Sequence, residues 1–277
     1  MSRYGCVDLH LHTTYSDGQY SPTDLVARAT ALEFTSIAVT DHDTTAGLPE
    51  AEEAVRKSVS PLRVIPGVEM SSLYEEFEAH ILGLFVDAGN RELQTVLAKA
   101  CAGRRERIHR MVEKLAEVGV DLDAEEVFAV ADVGSVGRLH VAEVLMKHGV
   151  TRSVMETFQK YLGTEAPAFV PKWYPEPAEC CRLIHQAGGV SVLAHPGEHL
   201  DRDRVVGLAQ AGVRAIECFY PTYSSTLRQQ YLDLARELDL GVSGGSDCHG
   251  RRKDRNLLGE IRLPEDVVRD LEARRGL

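Results

Sequence analysis

The chain has 277 residues, 44% of them hydrophobic and 26% charged, enough to bury one large core and ordinary for a globular protein. Its 42 acidic and 31 basic residues leave a net charge of −11, which excludes a broad electropositive surface for nucleic acid but not a local basic pocket. No run of ~18 apolar residues is present, so no membrane span is predicted. The six cysteines (Cys6, Cys101, Cys180, Cys181, Cys218 and Cys248) show no CxxC spacing and read as reduced, mostly buried thiols.

The first predicted strand, residues 5–11, begins too early to leave room for a signal peptide, so a cytoplasmic location is expected. Its end, VDLHLHTTYSDG, puts His10 and His12 on alternate positions of one strand face. The turn-forming Ser-Asp-Gly that follows can swing Asp17 back over that strand end. Ser21 and Pro22 then announce a helix over 22–33, as N-cap and first helical residue. Strand 36–41 runs into Asp41 and His42, and a helix over 47–58 leads to strand 62–69, which ends on Glu69. Strand 79–86 carries His80.

A helix over 90–117 opens a region that breaks the rhythm. From about 100 to 165 the pattern stays helical (DAEEVFAVA, RLHVAEVLMKHG, SVMETFQKYLG), and this stretch reads as an insert between barrel segments 1–99 and 166–277. The chain re-enters the main domain near APAFVPKWYPEP. Helix 175–187, strand 190–195 with His195, helix 201–211, strand 214–219 and helix 224–239 follow. Strand 241–245 comes last, with Asp247 and His249 just beyond it. Strand–helix alternation of this kind predicts an α/β domain on a parallel sheet, open or closed into a barrel.

Six of the eleven histidines therefore lie at strand-associated positions, where parallel barrels assemble active sites from several strands. Together with the carboxylates they predict a metal centre of nine ligand types: His10, His12, Asp17, His42, Glu69, His80, His195, Asp247 and His249. Imidazole and carboxylate without thiolate suit Mn, Fe, Zn or Mg-like ions. Nine candidates exceed the needs of one ion and fit two or three, with Glu69 or Asp247 bridging. Cys248 alternates away from its neighbours and is assigned to the core, while Asp41 is expected to orient an imidazole. His109, His148 and His185 fall on predicted helices and read as structural or surface groups, and His199 as a rim residue.

Several cations invite two readings. GRRERIHR at 103–110 is expected to be a solvated helix face, and Arg251, Arg252 and Lys253 a solvated loop at the mouth. Arg138 and His140, in GSVGRLH, are either an exposed start of an amphipathic helix or a phosphate site that Gly134 and Gly137 let the backbone approach. Lys172 is a second anion candidate, and Trp173 beside it is either a packing residue or a platform for a base. No serine-nucleophile elbow, Walker loop or dinucleotide fingerprint occurs, so acyl-enzyme and kinase chemistry are not expected.

DLHLHTTYSDG, TDHD, GVE, AHPG and SDCHG, in this order, resemble the PHP (polymerase and histidinol phosphatase) family over residues 7 to about 260. The resemblance implies a distorted (β/α)7 TIM-like barrel with a trinuclear centre, most commonly of Mn, with Fe or Zn as alternatives. It also implies the sharing of ions: His10 and His12 on one, Asp17, His42 and His249 around a second, His80 and His195 on a third, with Glu69 and Asp247 shared. VGRLHVAEVLMKHG and VPKWYPEPAECCRLIHQAGGVSVLAHPG further resemble small phosphoesterases with a helical elbow insert. That subgroup includes 3′,5′-nucleoside bisphosphate phosphatases, 5′→3′ exoribonucleases and a cyclic ribose-phosphate hydrolase. Leu139 departs from it, standing where proline is common.

The expected activity is thus metal-dependent hydrolysis of a phosphate ester. Arg138, His140 and Lys172 would hold a second anionic group and Trp173 a base. A nucleoside 3′,5′-bisphosphate or the 5′-phosphorylated end of a short RNA meets that description. Histidinol phosphate and a cyclic ribose phosphate are same-class alternatives, and a metal-binding regulatory protein without catalysis is an alternative of another class. Hydrolysis of C–N bonds is disfavoured because no lysine lies at a strand end to bridge metals.

Overall fold

Short apolar runs between capped amphipathic helices form one seven-stranded sheet whose spatial order is the chain order. The strands are β1 (Val7–Leu11), β2 (Ser36–Val39), β3 (Arg63–Tyr74), β4 (Phe77–Leu84), β5 (Val190–Leu193), β6 (Ala215–Phe219) and β7 (Gly241–Gly244). The structure, a computed structural model, describes residues 6–58, 60–132, 134–197, 201–251 and 255–275. Beyond β7 the chain returns to β1: the His12 amide donates to the Cys248 carbonyl at 3.2 Å, leaving a nearly closed barrel.

The helices are α1 (Pro22–Ala31), α2 (Leu48–Lys57), α3 (Arg91–Glu117), α4 (Ala124–Ala131), α5 (Arg138–Lys147), α6 (Val154–Thr157), α7 (Pro177–Gln186), α8 (Arg202–Gln210), α9 (Ser225–Glu237) and α10 (Asp266–Ala273). A π-helical turn, Phe158–Leu162, continues α6. Ser21 caps α1 as expected, its hydroxyl accepting from the Asp24 amide at 3.0 Å. No predicted element corresponded to α10, which buries Val268 and Leu271 against Ala215 and Leu263. Among the described residues no helix is long and apolar enough to cross a membrane.

The sheet is not parallel throughout. β4 runs against both neighbours, forming an antiparallel hairpin with β3 and an antiparallel pair with β5, while the remaining pairs are parallel. The reason lies in chain length. Residues 70–78, between the two predicted strands, are too few for a parallel crossover, which takes about a dozen or more. Both strands instead extend into a hairpin that turns at Glu75 and Glu76. Reversal brings the first half of β4, with His80, to the end of the barrel where the other strands finish.

α3 belongs to both parts of the molecule. Leu93 and Leu97 pack into the barrel core with Val68, Ile81 and Ile184. Ile108, Met111 and Leu115, further along the same helix, join a separate core with Val127, Phe128, Val141 and Leu145. That second core runs from Ile108 to Val170 and starts inside a continuous helix. Gly134 fixes it to the barrel: a Cβ there would stand 2.6 Å from the Thr14 carbonyl oxygen, and the next amide, of Ser135, donates to Tyr15 at 2.7 Å. Its expected role near an anion is replaced by this docking contact.

Candidate active site

At the mouth of the barrel the strand ends bring all nine predicted ligand residues together. His10 and His12 leave β1 with their Nε2 atoms 3.1 Å apart. Glu69, fully buried on β3, places Oε2 at 3.3 Å from His10 Nε2, 3.1 Å from His12 Nε2 and 3.0 Å from His42 Nδ1. Its other oxygen, Oε1, is 2.7 Å from His80 Nδ1 and 3.0 Å from His195 Nε2. Asp247 Oδ1 lies 3.1 Å from His12 Nε2 and 3.3 Å from His249 Nδ1, and Asp17 Oδ1 is 3.0 Å from His249 Nε2. His195 (φ +25°) and Asp247 (φ +49°) hold left-handed backbone conformations uncommon outside glycine, which is where strain at functional sites concentrates.

This donor set fits divalent metal ions. Ligand atoms within 4.8 Å of one another converge in three groups: His12, Asp17, His42 and His249; His10, His12, Glu69 and Asp247; and His42, Glu69 and His80. Buried polar atoms are normally paired in well-directed hydrogen bonds, yet the close approaches made by Asp17 Oδ1, His42 Nδ1 and Glu69 Oε2 lack hydrogen-bond geometry. Burial alone would raise the Glu69 carboxyl, but His42, His80 and His10 around it hold it well below the usual carboxylate range. Asp17 is likewise kept ionised, against its burial, by His249 and His42. Cys248, set among apolar side chains, stays in the core as expected.

Three supporting residues escaped the sequence reading or act differently from it. Among the described residues Asp41 reaches an imidazole only through Ser16, whose hydroxyl lies 3.4 Å from His12 Nδ1. It accepts from the Thr13 amide at 2.7 Å, the Thr13 hydroxyl at 2.6 Å and the Ser16 hydroxyl at 2.6 Å, and so shapes the loop carrying Asp17. Tyr220, after β6, donates to Asp247 Oδ2 at 3.0 Å. Glu217, on β6, touches both His10 and the backbone of His195. Neither has a ligand-like motif around it, so only a fold could reveal them.

Beside the cluster opens a cavity of about 430 Å³, walled by the barrel on one side and the insert on the other. Asp17, His42, His80 and Glu78 line the barrel side, and Arg104, Arg107, Arg138 and Lys172 supply cations. The helix face expected to be solvated is therefore partly wrong: Arg104 and Arg107 are 6% and 4% exposed and turn into the cavity. Their neighbours Arg105, Glu106, His109 and Arg110 do face solvent. Arg104 is anchored by Asp43 at 2.7 Å and Ser71 at 3.1 Å. Arg107 donates through Nε to the Val170 carbonyl at 2.6 Å, while its buried Nη2 has no partner among the described residues.

The cations are crowded. Burial, with Arg138 nearby, pulls the Arg107 guanidinium down to about 10, and burial with Arg104 nearby pulls the Lys172 amine down to about 8. Lys172 donates to the Ser71 hydroxyl at 2.7 Å and lies 3.3 Å from Glu78, whose other oxygen is 3.6 Å from Arg138. Leu139, Val154, Met155 and Phe158 of the insert form an apolar wall opposite, with Met155 67% exposed.

Two expected contacts are not found in the cavity lining. His140 is fully buried and its Nδ1 accepts from the Gly137 amide at 3.0 Å, closing the first turn of α5. Trp173 is 40% exposed, with the Lys99 ammonium 3.8 Å over its ring. Arg251 is exposed, as expected, while His199, Arg252 and Lys253 lie outside the described residues.

Residues 8–161 match the PHP domain. The chain is 36% identical over 248 residues to the 5′-3′ exoribonuclease Rnm of Salmonella typhimurium, covering 87% of this chain and 84% of that protein. It is 30% identical over 278 residues to a 3′,5′-nucleoside bisphosphate phosphatase of Chromobacterium violaceum, covering 97% of each. Among solved structures, a protein of Bifidobacterium adolescentis described as a metal-dependent phosphoesterase superimposes with a TM-score of 0.90 at 30% identity, over 100% of this chain and 98% of that one. By the family match over more than half of its length and by these relatives, the chain belongs to the PHP domain family.

Proposed function

We propose that this phosphoesterase hydrolyses one phosphate ester of a small molecule carrying two anionic groups, foremost a nucleoside 3′,5′-bisphosphate, releasing the 3′-phosphate and leaving the 5′-monophosphate. The observation that carries the reading is the pairing, in one cavity, of the Glu69-centred cluster with Arg107, Arg138 and Lys172. One end suits cations and the other an anion.

Two or three divalent ions, Mn first and Fe or Zn next, would be held by His10 and His12; by Asp17, His42 and His249; and by His80 and His195, with Glu69 and Asp247 shared. Bound there, such ions supply Lewis acidity and bring the pKa of water toward neutrality. The chain's own residues do the rest. Arg107 offers an unpaired buried N–H at the cavity wall, and Arg138 and Lys172 add charge-assisted donors for the remote anion. Leu139, Met155 and Phe158, rather than Trp173, provide the apolar surface on which a base would rest. A short RNA whose 5′-phosphate occupied the same cations would present its first linkage to the cluster, giving 5′→3′ trimming from the same site.

Steady-state comparison of a nucleoside 3′,5′-bisphosphate, the corresponding 5′-monophosphate, a 5′-phosphorylated oligonucleotide, histidinol phosphate and a cyclic ribose phosphate tests this. The two-anion substrates should lead in kcat/KM. A ten-fold or greater advantage for histidinol phosphate or the cyclic sugar, about 1.4 kcal/mol, would overturn it.

A further inference from the structure

β6 sends no predicted metal ligand to the mouth, although its neighbours β5 and β7 both lead into one. Its contribution is Glu217, a carboxylate with no exposed surface. Glu217 Oε1 lies 3.1 Å from His10 Nδ1, and Oε2 accepts from the His195 backbone amide at 2.6 Å. One carboxylate therefore grips two different strands' contributions to the cluster. Both grips have chemical consequences.

A carboxylate beside Nδ1 fixes the His10 proton there, because an ionised carboxylate only accepts hydrogen bonds. Nε2 is then left with its lone pair, aimed at the space shared with His12 Nε2, Glu69 Oε2 and Asp247 Oδ1 at 3.1, 3.3 and 3.6 Å. Such a partner on the far ring nitrogen sets a ligand histidine's tautomer and raises its basicity. The second oxygen acts on backbone. His195 sits at φ +25°, a conformation that costs free energy for a non-glycine residue and persists only where its surroundings hold it. The Glu217 bond to its amide is such a hold, and it turns the imidazole so that Nε2 reaches Glu69 Oε1 at 3.0 Å.

We propose that Glu217 is the positioning residue of the metal centre, setting the tautomer of His10 and the backbone of His195 together, so that metal retention at two sites depends on one carboxylate that binds no metal. This rests on the reading of His10 and His195 as ligands. Glu217→Gln keeps size and burial and still accepts from the His195 amide, but its amide can present N–H to His10 and favour the other tautomer. The variant should fold as the wild type does when both are stripped of metal, by circular dichroism and melting temperature. Its affinity for Mn2+ or Zn2+, titrated against a chromophoric chelator, should fall ten- to a hundred-fold. Its kcat should drop with KM little changed, and Glu217→Asp, which restores the charge, should recover part of both.

A folded Glu217→Gln protein with wild-type metal affinity would overturn the proposal while leaving the metal centre itself standing. A wild-type protein that takes up no metal would overturn the centre. Should Glu217→Gln fail to fold, nitrogen-15 spectroscopy of the histidine rings in zinc-loaded wild type decides instead. His10 must appear with its proton on Nδ1, and a proton on Nε2 refutes the assignment.

Discussion

The two walls of the cavity solve opposite electrostatic problems. On the barrel wall, imidazoles and carboxylates interleave within about 3 Å of each other, so each buried charge has an opposite neighbour and Glu69 and Asp17 remain ionised despite burial. On the insert wall, cations crowd with fewer counter-charges, and Arg107 and Lys172 are pulled down in pKa. A wall that depresses its own cations is one that gains from an incoming anion. The contrast teaches that the insert is more than a cover: it supplies the charge that the barrel, rich in carboxylates, cannot.

The hardest blow to the barrel wall is Glu69→Ala. Because both its oxygens touch several histidines, more than one ion should be lost, with the rate falling on the order of a thousand-fold or more. Metal analysis beside a phosphate-release assay reads this, and a variant with full metal and full rate would end the assignment. On the insert wall, Arg107→Ala or Arg138→Ala should lower kcat/KM about ten- to a hundred-fold, the loss of a charge-assisted contact worth roughly 1.5–3 kcal/mol. Metal content should stay intact in both. Loss of metal in either would mean the two walls are not separable.

A gentler test uses pH. With the Lys172 amine pulled down to about 8, it is charged below that pH, where it would attract an anion in the proposed site, and it becomes neutral above. KM for a bisphosphate should therefore climb as pH passes 8, and Lys172→Arg, charged throughout, should flatten the climb. An unchanged pH profile in that variant would remove Lys172 from anion binding. The smallest effect belongs to His140→Ala. On kcat/KM it should be near nil, while the emptied buried volume and the orphaned Gly137 amide should cost about 2–4 kcal/mol of stability, seen as a lower melting temperature. A several-fold rise in KM would instead return His140 to the substrate.

The same division marks what could be read from sequence. His10, His12, Asp17, His42, Asp247 and His249 sit in local motifs at strand ends, where two-residue alternation and turn chemistry already say which way side chains go. Glu69 and His80 meet across the β3–β4 hairpin, and the brevity of the connecting segment held the clue to its antiparallel course. Arg104 and Arg107 share one helical stripe, but Arg105 and Arg110 beside them are just as basic and face solvent, so charge alone could not sort them. Glu217 matters through His10, 207 positions away, and His195, 22 away, and Tyr220 through Asp247, 27 away, which no local pattern encodes.

α3 runs unbroken for 27 residues from the barrel core into the insert core, with Arg104 and Arg107 lying between Leu97 of the first and Ile108 of the second. An α-helix advances about 100° per residue. Adding or deleting a single residue between Leu97 and Arg104 would swing both guanidinium groups out of the cavity and carry the whole insert core round with them. Length variation in this chain should therefore collect in the turns that follow α3, and the middle of α3 should tolerate substitution far better than any change of register.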